Sequence, residues 1–304
     1  MGDSLLSPVA DVVNKALDKI SDAIGWGVNH ETPKRIATST FISEVQKSNL
    51  DPASKAIVIR NARKIIKEYQ NQDAIIDLAM RQLSDTANPQ GVDNDWISQF
   101  MDMAKNISDS DYQLIWAQIL AGEMEKPGSF SIGAIDKLRC LSKKDAVCFQ
   151  KASKVYLEQD GGCFILANSD AESGLANYDL SFEDILQLSD CGLIRSDYLV
   201  LELKFKCEEQ KNTNLHNESI IVFLKGNNKE DKVAKLNVFT FTEAGRQLLK
   251  VANAGKEREQ ILNELKLISS KYDWLEIQAF DVINVNGGNI EYSDDNLMKE
   301  SNHF

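Results

Sequence analysis

Histidine is nearly missing from this chain. Three residues, His30, His216 and His303, stand among 304, in a loop, a polar wing-like loop and the tail. Catalytic constellations need converging groups on ordered elements, so no histidine-based triad or metal centre is expected. Cysteine is almost as scarce. Cys140, Cys148, Cys163, Cys191 and Cys207 are odd in number and form no Cys-x-x-Cys pair, which argues against a disulfide framework and a zinc site and for a reducing, cytoplasmic setting. Long apolar runs are lacking too. No stretch approaches the roughly 18 uncharged residues that span a bilayer, and the N-terminus has no basic flank followed by an apolar run. Neither a transmembrane segment nor secretion is expected. Cations are outnumbered, with 34 Lys and Arg against 46 Asp and Glu and a net charge of -12. Such a field repels nucleic acid and anionic lipid unless a basic face is set against it. The chain also carries no Gly-rich phosphate loop, nucleophile elbow or His-Glu-x-x-His. No carboxylate pair has a spacing that demands acid–base chemistry. No catalytic residue, metal or cofactor is therefore assigned.

What is present is ordinary globular material, 43% apolar and long enough for two domains. Leu5, Leu6, Val9, Val12, Val13, Leu17, Ile20 and Ile24 recur at helical spacing until Gly25-Trp26-Gly27 ends the run. Its polar face, with Asp11, Asp18 and Asp22 against Lys15 and Lys19, is unlike that of a lipid-binding helix. Docking on the rest of the chain or on a sister subunit is expected. Asp51-Pro52 then opens a long helix, about 45 Å to roughly Leu83. Its coiled-coil-like seam is Ile59, Ala62, Ile66, Tyr69, Asp73, Ile76, Met80 and Leu83. Asp73 either sets register there or faces solvent at a bend. On another face Arg60, Arg63, Lys64 and Lys67 form a basic strip. It is either a solvated helix face or a footprint for nucleic acid or an acidic partner.

Past the loop Ser84 to Asp93, helical signals continue. Trp96, Phe100, Met103 and Ile107 make one stripe; Ser108, Ser131 and Ser142 are candidate N-caps. They predict helices over Ile132 to Leu141 and Lys143 to about Glu158, so residues 1–160 are expected to be all helical. The glycine-containing junction "EQDGGC", Glu158 to Cys163, is taken as the domain boundary. Beyond it come a short helix in "SFEDILQLSDCGLI", strand-like runs Tyr198 to Phe205, Ser219 to Leu224 and Leu236 to Phe241, and helices in "TFTEAGRQLLKV" and Glu257 to Tyr272. "WLEIQAFDVINV" adds a candidate strand. The order helix, small strand ladder, helix resembles a winged helix over 161–290, with a polar flexible tail at 291–304. The fold class is α+β. The helix before the first wing strand carries Glu183, Asp184 and Asp190 and no Lys or Arg. Phosphate would repel it, so the module is expected to bind protein rather than DNA.

One residue breaks the apolar pattern. In "LIWAQILAGEMEKPGSFS", Leu114 to Ser131, Glu123 falls on the apolar arc of Tyr112, Ile115, Trp116, Ile119 and Leu120. A buried carboxylate must find partners. Downstream, "KPGSFS" turns the chain back, and the helix start near Ser131 offers free amide donors. A structural clasp is the expectation; a catalytic acid in a cleft is the alternative.

The run from Asp93 to Phe149 closely resembles the bacterial domain-of-unknown-function family twenty-eight-oh-six. The matching positions include Asp95, Trp96, Trp116, Leu120, Ala121, Gly122, Glu123, Pro127, Gly128, Ser129, Phe130 and Ser131. "KEYQNQDAIIDLAMRQL", "TPKRIA" and, more weakly, "FTFTEAGRQLL" look similar too. More loosely, "LIWAQILAGEM" followed by "LRCLSKKDAVCF" is similar to the Abi-alpha phage abortive-infection proteins, which implies a role in antiviral defence without catalytic residues. The expectation is a non-enzymatic interaction or effector protein of anti-phage defence. Its partner is a protein, itself included as a homo-oligomer through the long seam or the first helix. One alternative is a nucleic-acid-binding regulator using the Arg60 to Lys67 strip; another is a cryptic hydrolase centred on Glu123.

Overall fold

The computed structural model describes residues 8–25, 36–168, 174–197, 199–207, 213–252, 257–286 and 289–299. His30, His303, Leu5, Leu6 and the Trp26-Gly27 helix stop lie outside them. The fold is mixed α+β, with ten α-helices and an eight-stranded antiparallel sheet among the described residues. The chain divides into two compact units, Met1–Arg139 and Cys140–Phe304.

The described elements of the first unit are α1 (Pro8–Ile24), α2 (Ile36–Lys47), α3 (Pro52–Met80), a 3-10 turn (Pro89–Gly91), α4 (Asn94–Ala104), α5 (Ser110–Glu125) and α6 (Ile132–Cys140). α1 buries Val12, Ala16, Leu17 and Ile20 against α4 and the 3-10 turn. Ser98 Oγ on α4 donates to the Ala23 carbonyl. The apolar face of α1 is thus covered by its own chain. The Asp51 side chain caps α3, accepting from the amides of Ala53 and Ser54. All the buried residues of α3 lie in its second half, at Asn71, Asp73, Ile75, Ile76 and Ala79, where it packs on α5. Asp73 is buried, not turned to solvent at a bend. Beside it Asn71 and Gln72 donate to the Lys105 and Met101 carbonyls at the end of α4. α5 is capped by Asp109 rather than by Ser108, because the Asp109 carboxylate reaches the amides of Asp111 and Tyr112.

The second unit begins with α7 (Lys143–Ala152), closed by a capping box of Ser142 with Asp145. α7 stops short of Glu158. It packs on α8 (Phe182–Asp190), and the residues expected to end its helix form strand β1 (Leu157–Gln159). "EQDGGC" is a hairpin. Asp160 and Gly161, both at positive φ, link β1 to β2 (Gly162–Leu166). The remaining strands are β3 (Leu199–Phe205), β4 (Thr213–His216), β5 (Ile220–Gly226), β6 (Lys232–Thr240), β7 (Leu275–Asn286) and β8 (Asn289–Tyr292), in the order β3-β6-β2-β1-β4-β5-β7-β8. α9 (Glu243–Leu249) and α10 (Arg258–Lys271) complete it, α10 lying on β7. Glu264 of α10, fully buried, accepts from Asn168 N and Asn177 Nδ2 and so anchors the chain that follows β2. The stretch from 291, expected as a tail, starts inside β8, and Ser293 and Leu297 still donate to carbonyls of β7.

Candidate functional site

Glu123, near the end of α5, is 3% exposed. Its Oε1 accepts the Gly128 amide at 2.6 Å and its Oε2 the Phe130 amide at 2.9 Å. Both donors belong to the turn, upstream of α6. α6 is capped instead by Ser131, whose hydroxyl accepts from Ala134 N. The turn needs Gly128 at φ +84°, after Pro127 ends the helical path. Phe130, once turned inward, gives its carbonyl to the Trp96 indole N–H at 2.7 Å. Trp96 stacks on Phe100, and Phe100 leans on Trp116. The structure therefore brings Trp96, Trp116, Glu123, Pro127, Gly128, Ser129 and Ser131 into one region of the first unit. Both carboxylate oxygens of Glu123 are engaged by backbone amides, an arrangement that holds a turn shut.

A second feature is the first half of α3. Arg60, Arg63, Lys64 and Lys67 are all exposed, and Lys64 pairs loosely with Glu68 at 3.6 Å. At about 100° per residue, Ile57 falls beside Lys64, whereas Ile65 lies on the opposite flank of Ile57, toward α4. The two isoleucines are 61% and 63% exposed. Ile65 also borders a groove of about 340 Å³ with Ile24, Tyr69 and Met101. In the second unit, α8 shows the opposite sign. Phe182 and Leu186 are 46% and 41% exposed and flanked by exposed Glu183 and Asp190.

The third feature was not legible as a site in the sequence. Cys163 on β2, Glu158 on β1 and His216 on β4 are direct cross-strand neighbours, Glu158 opposite both of the others. They form a row on one sheet face. His216 thus sits in a strand, not a loop. The row floors a cleft of about 230 Å³, walled by Arg246, Leu249 and Lys250 of the α9 segment and by Tyr156, Asn217 and Val285. Cys163 Sγ points at Glu158 Oε2 at 3.9 Å. Burial, reinforced by the Glu158 charge, pushes its thiol up to about 12, so it is no ready nucleophile. Among the described residues no group of three His, Cys, Asp or Glu is placed to hold a metal ion. No described helix is long and apolar enough to cross a membrane.

Over residues 57–266 the chain matches the family described as Protein of unknown function (DUF2806). The chain belongs to that family. No curated protein and no solved structure matches it. The DUF2806 match runs from α3 to α10, so it takes in the clasp, the basic strip and all of the cleft except Val285.

Proposed function

We propose that this DUF2806 protein is a non-enzymatic interaction protein that self-associates, acting as an effector of the abortive-infection type in bacterial anti-phage defence. The observation that carries the interaction reading is the open half of α3. Ile57, exposed beside four cations, with exposed Ile65 on its other flank, forms a surface suited to an acidic, apolar partner helix. α8 of a second copy has that chemistry, with Phe182 and Leu186 exposed between Glu183 and Asp190. The groove beside Ile65 offers an aromatic side chain a receptacle. α1 has no comparable free face, its apolar residues being spent on α4.

A winged-helix-like reading of the second unit rests on the order of its elements. α8 precedes β3, and β3, β6 and β2 are adjacent antiparallel strands, with β4 and β5 inserted where a wing would be. The acidic, partly apolar α8 favours protein over DNA at that module. The anti-phage setting rests on the resemblance read in the sequence between the segments around Glu123 and Cys148 and the Abi-alpha proteins.

Sedimentation velocity at micromolar concentration tests the assembly. The wild type is expected to be oligomeric, and reversal of Arg60, Arg63, Lys64 and Lys67 to Glu is expected to give a monomer. Reversing Glu183 and Asp190 to Lys in the same chain should restore association. A monomeric wild type overturns the self-association. Salt-dependent DNA binding abolished by the strip reversal would instead favour the nucleic-acid regulator. Phage plating on cells with and without the protein tests the defence role, and equal plating removes it.

A further inference from the structure

Glu158 and Arg246 face one cleft with opposite charges, yet no ion pair joins them. The Arg246 guanidinium spends Nε and Nη2 on Glu243, its neighbour one helical turn back. Glu158 receives only the long contact from the Cys163 thiol. A carboxylate with spare acceptor sites and a guanidinium with a spare Nη1 thus line the same small space. His216 adds an imidazole on the Glu158 side of the row and Lys250 a second ammonium on the Arg246 side, while Leu249 and Val285 supply apolar wall. At about 230 Å³ the cleft is smaller than the roughly 300 to 1,000 Å³ of sites for drug-sized ligands, so its occupant is small.

From this we infer that the cleft binds a free amino acid with an apolar side chain, its ammonium on Glu158 and its carboxylate on Arg246. The separation of unlike charges selects a ligand with both. A simple anion would meet Glu158 and Glu218, and a simple amine would meet Arg246 and Lys250. A zwitterion completes both sides at once and replaces water where each group is half satisfied. Leu249 and Val285 favour an aliphatic tail. The site uses none of the α3 or α8 residues on which the proposed self-association rests.

Isothermal titration of the full chain with L-leucine, N-acetyl-L-leucine and L-leucinamide tests the inference. Binding of L-leucine is expected, with at least tenfold loss for each blocked analogue. Glu158→Gln should remove the penalty for the N-acetyl compound, and Arg246→Gln the penalty for the amide. This crossed pattern is one that misfolding does not produce. Circular dichroism checks that each variant keeps its fold; if either unfolds, Glu158→Asp or Arg246→Lys replaces it, with the same penalty expected to shrink for the matching blocked analogue only. Absence of binding by L-leucine and by the other aliphatic amino acids, or equal binding of the blocked analogues to the wild type, overturns it.

Discussion

Glu123 and Phe130 hold each other across the Pro127-Gly128 turn: the carboxylate accepts the Phe130 amide at 2.9 Å, and the ring of Phe130 lies against Gly122, one residue before Glu123. The contact is both polar and steric, and the two parts can be broken separately. Glu123→Ala leaves two amides of the turn without their acceptor and is expected to cost about 2 to 4 kcal/mol, the penalty for unsatisfied neutral donors of which only one is fully buried. Glu123→Gln keeps one oxygen but sets an NH2 against an amide N–H, for a loss of about 1.5 to 3 kcal/mol. Denaturant titration followed by tryptophan fluorescence measures both, since Trp96 and Trp116 sit in the same unit. A Gln variant of unchanged stability that loses biological function would reopen the hydrolase reading.

Gly122 and Gly128 flank the clasp for different reasons, and alanine separates them. A Cβ on Gly122 would stand 2.8 Å from Cε2 of Phe130, so Gly122→Ala must displace a buried ring and should cost about 1 to 3 kcal/mol. A Cβ on Gly128 meets nothing within 4 Å, but the residue holds φ +84°. Its alanine variant loses only the conformational term, about 1 to 2 kcal/mol. Phe130→Leu should relieve the first variant and leave the second unchanged.

How much of this was legible in the sequence differs between the units. α3, α5, α6 and the caps at Asp51 and Ser142 follow from spacing and capping chemistry, which are local. The inward turn of Glu123 was legible for the same reason, because helical phase fixes direction. Its partners were not, since the choice between the turn amides and the start of α6 depends on how the turn folds. The second unit depends on pairing between distant strands. β1 has three residues and β4 four, too short to show alternation. The Asp160-Gly161 hairpin signal was present and was masked by its neighbour Gly162, which made the stretch resemble a linker. The cleft could not be found without the register that sets Glu158 opposite both Cys163 and His216.

The five cysteines divide by environment. Cys140 and Cys207 are exposed, Cys191 is half-buried, and Cys148 and Cys163 are buried. Burial pushes the thiols of Cys148 and Cys163 up to about 12, with the Asp184 and Glu158 charges respectively adding to it. At pH 8 an aromatic disulfide reagent should label Cys140 and Cys207 within minutes and the buried pair only after denaturation. The sign of the linkage follows. Because both thiols are raised in the folded state, their contribution to stability is intact below the unfolded value near 9 and declines as the pH rises from there toward 12. Replacing both by Ala or Ser is expected to flatten the alkaline part of the stability profile, and an unchanged profile would show that other groups govern it.

Thr242 and Gly245 join α9 to the end of α8, and their variants should not add. The Thr242 hydroxyl donates to the Gly192 carbonyl at 2.7 Å and accepts the Gly245 amide at 3.1 Å, while its own amide donates to Leu193 O. Thr242→Ala removes the cap and should cost about 1 to 2 kcal/mol. A Cβ on Gly245 would lie 2.0 Å from that same Leu193 oxygen, which is backbone and cannot swing aside. Gly245→Ala must therefore separate α9 from the Leu193 carbonyl, next to the Ile194–Phe241 bridge, and is expected to cost more than the cap does. Once that separation has occurred, the Thr242 bonds to Gly192 and Leu193 are already lost. The double variant should then be less destabilised than the sum of the singles by about 1 kcal/mol, the coupling expected of residues that share a partner. Full additivity in denaturant titrations would mean that α9 accommodates the extra methyl without moving.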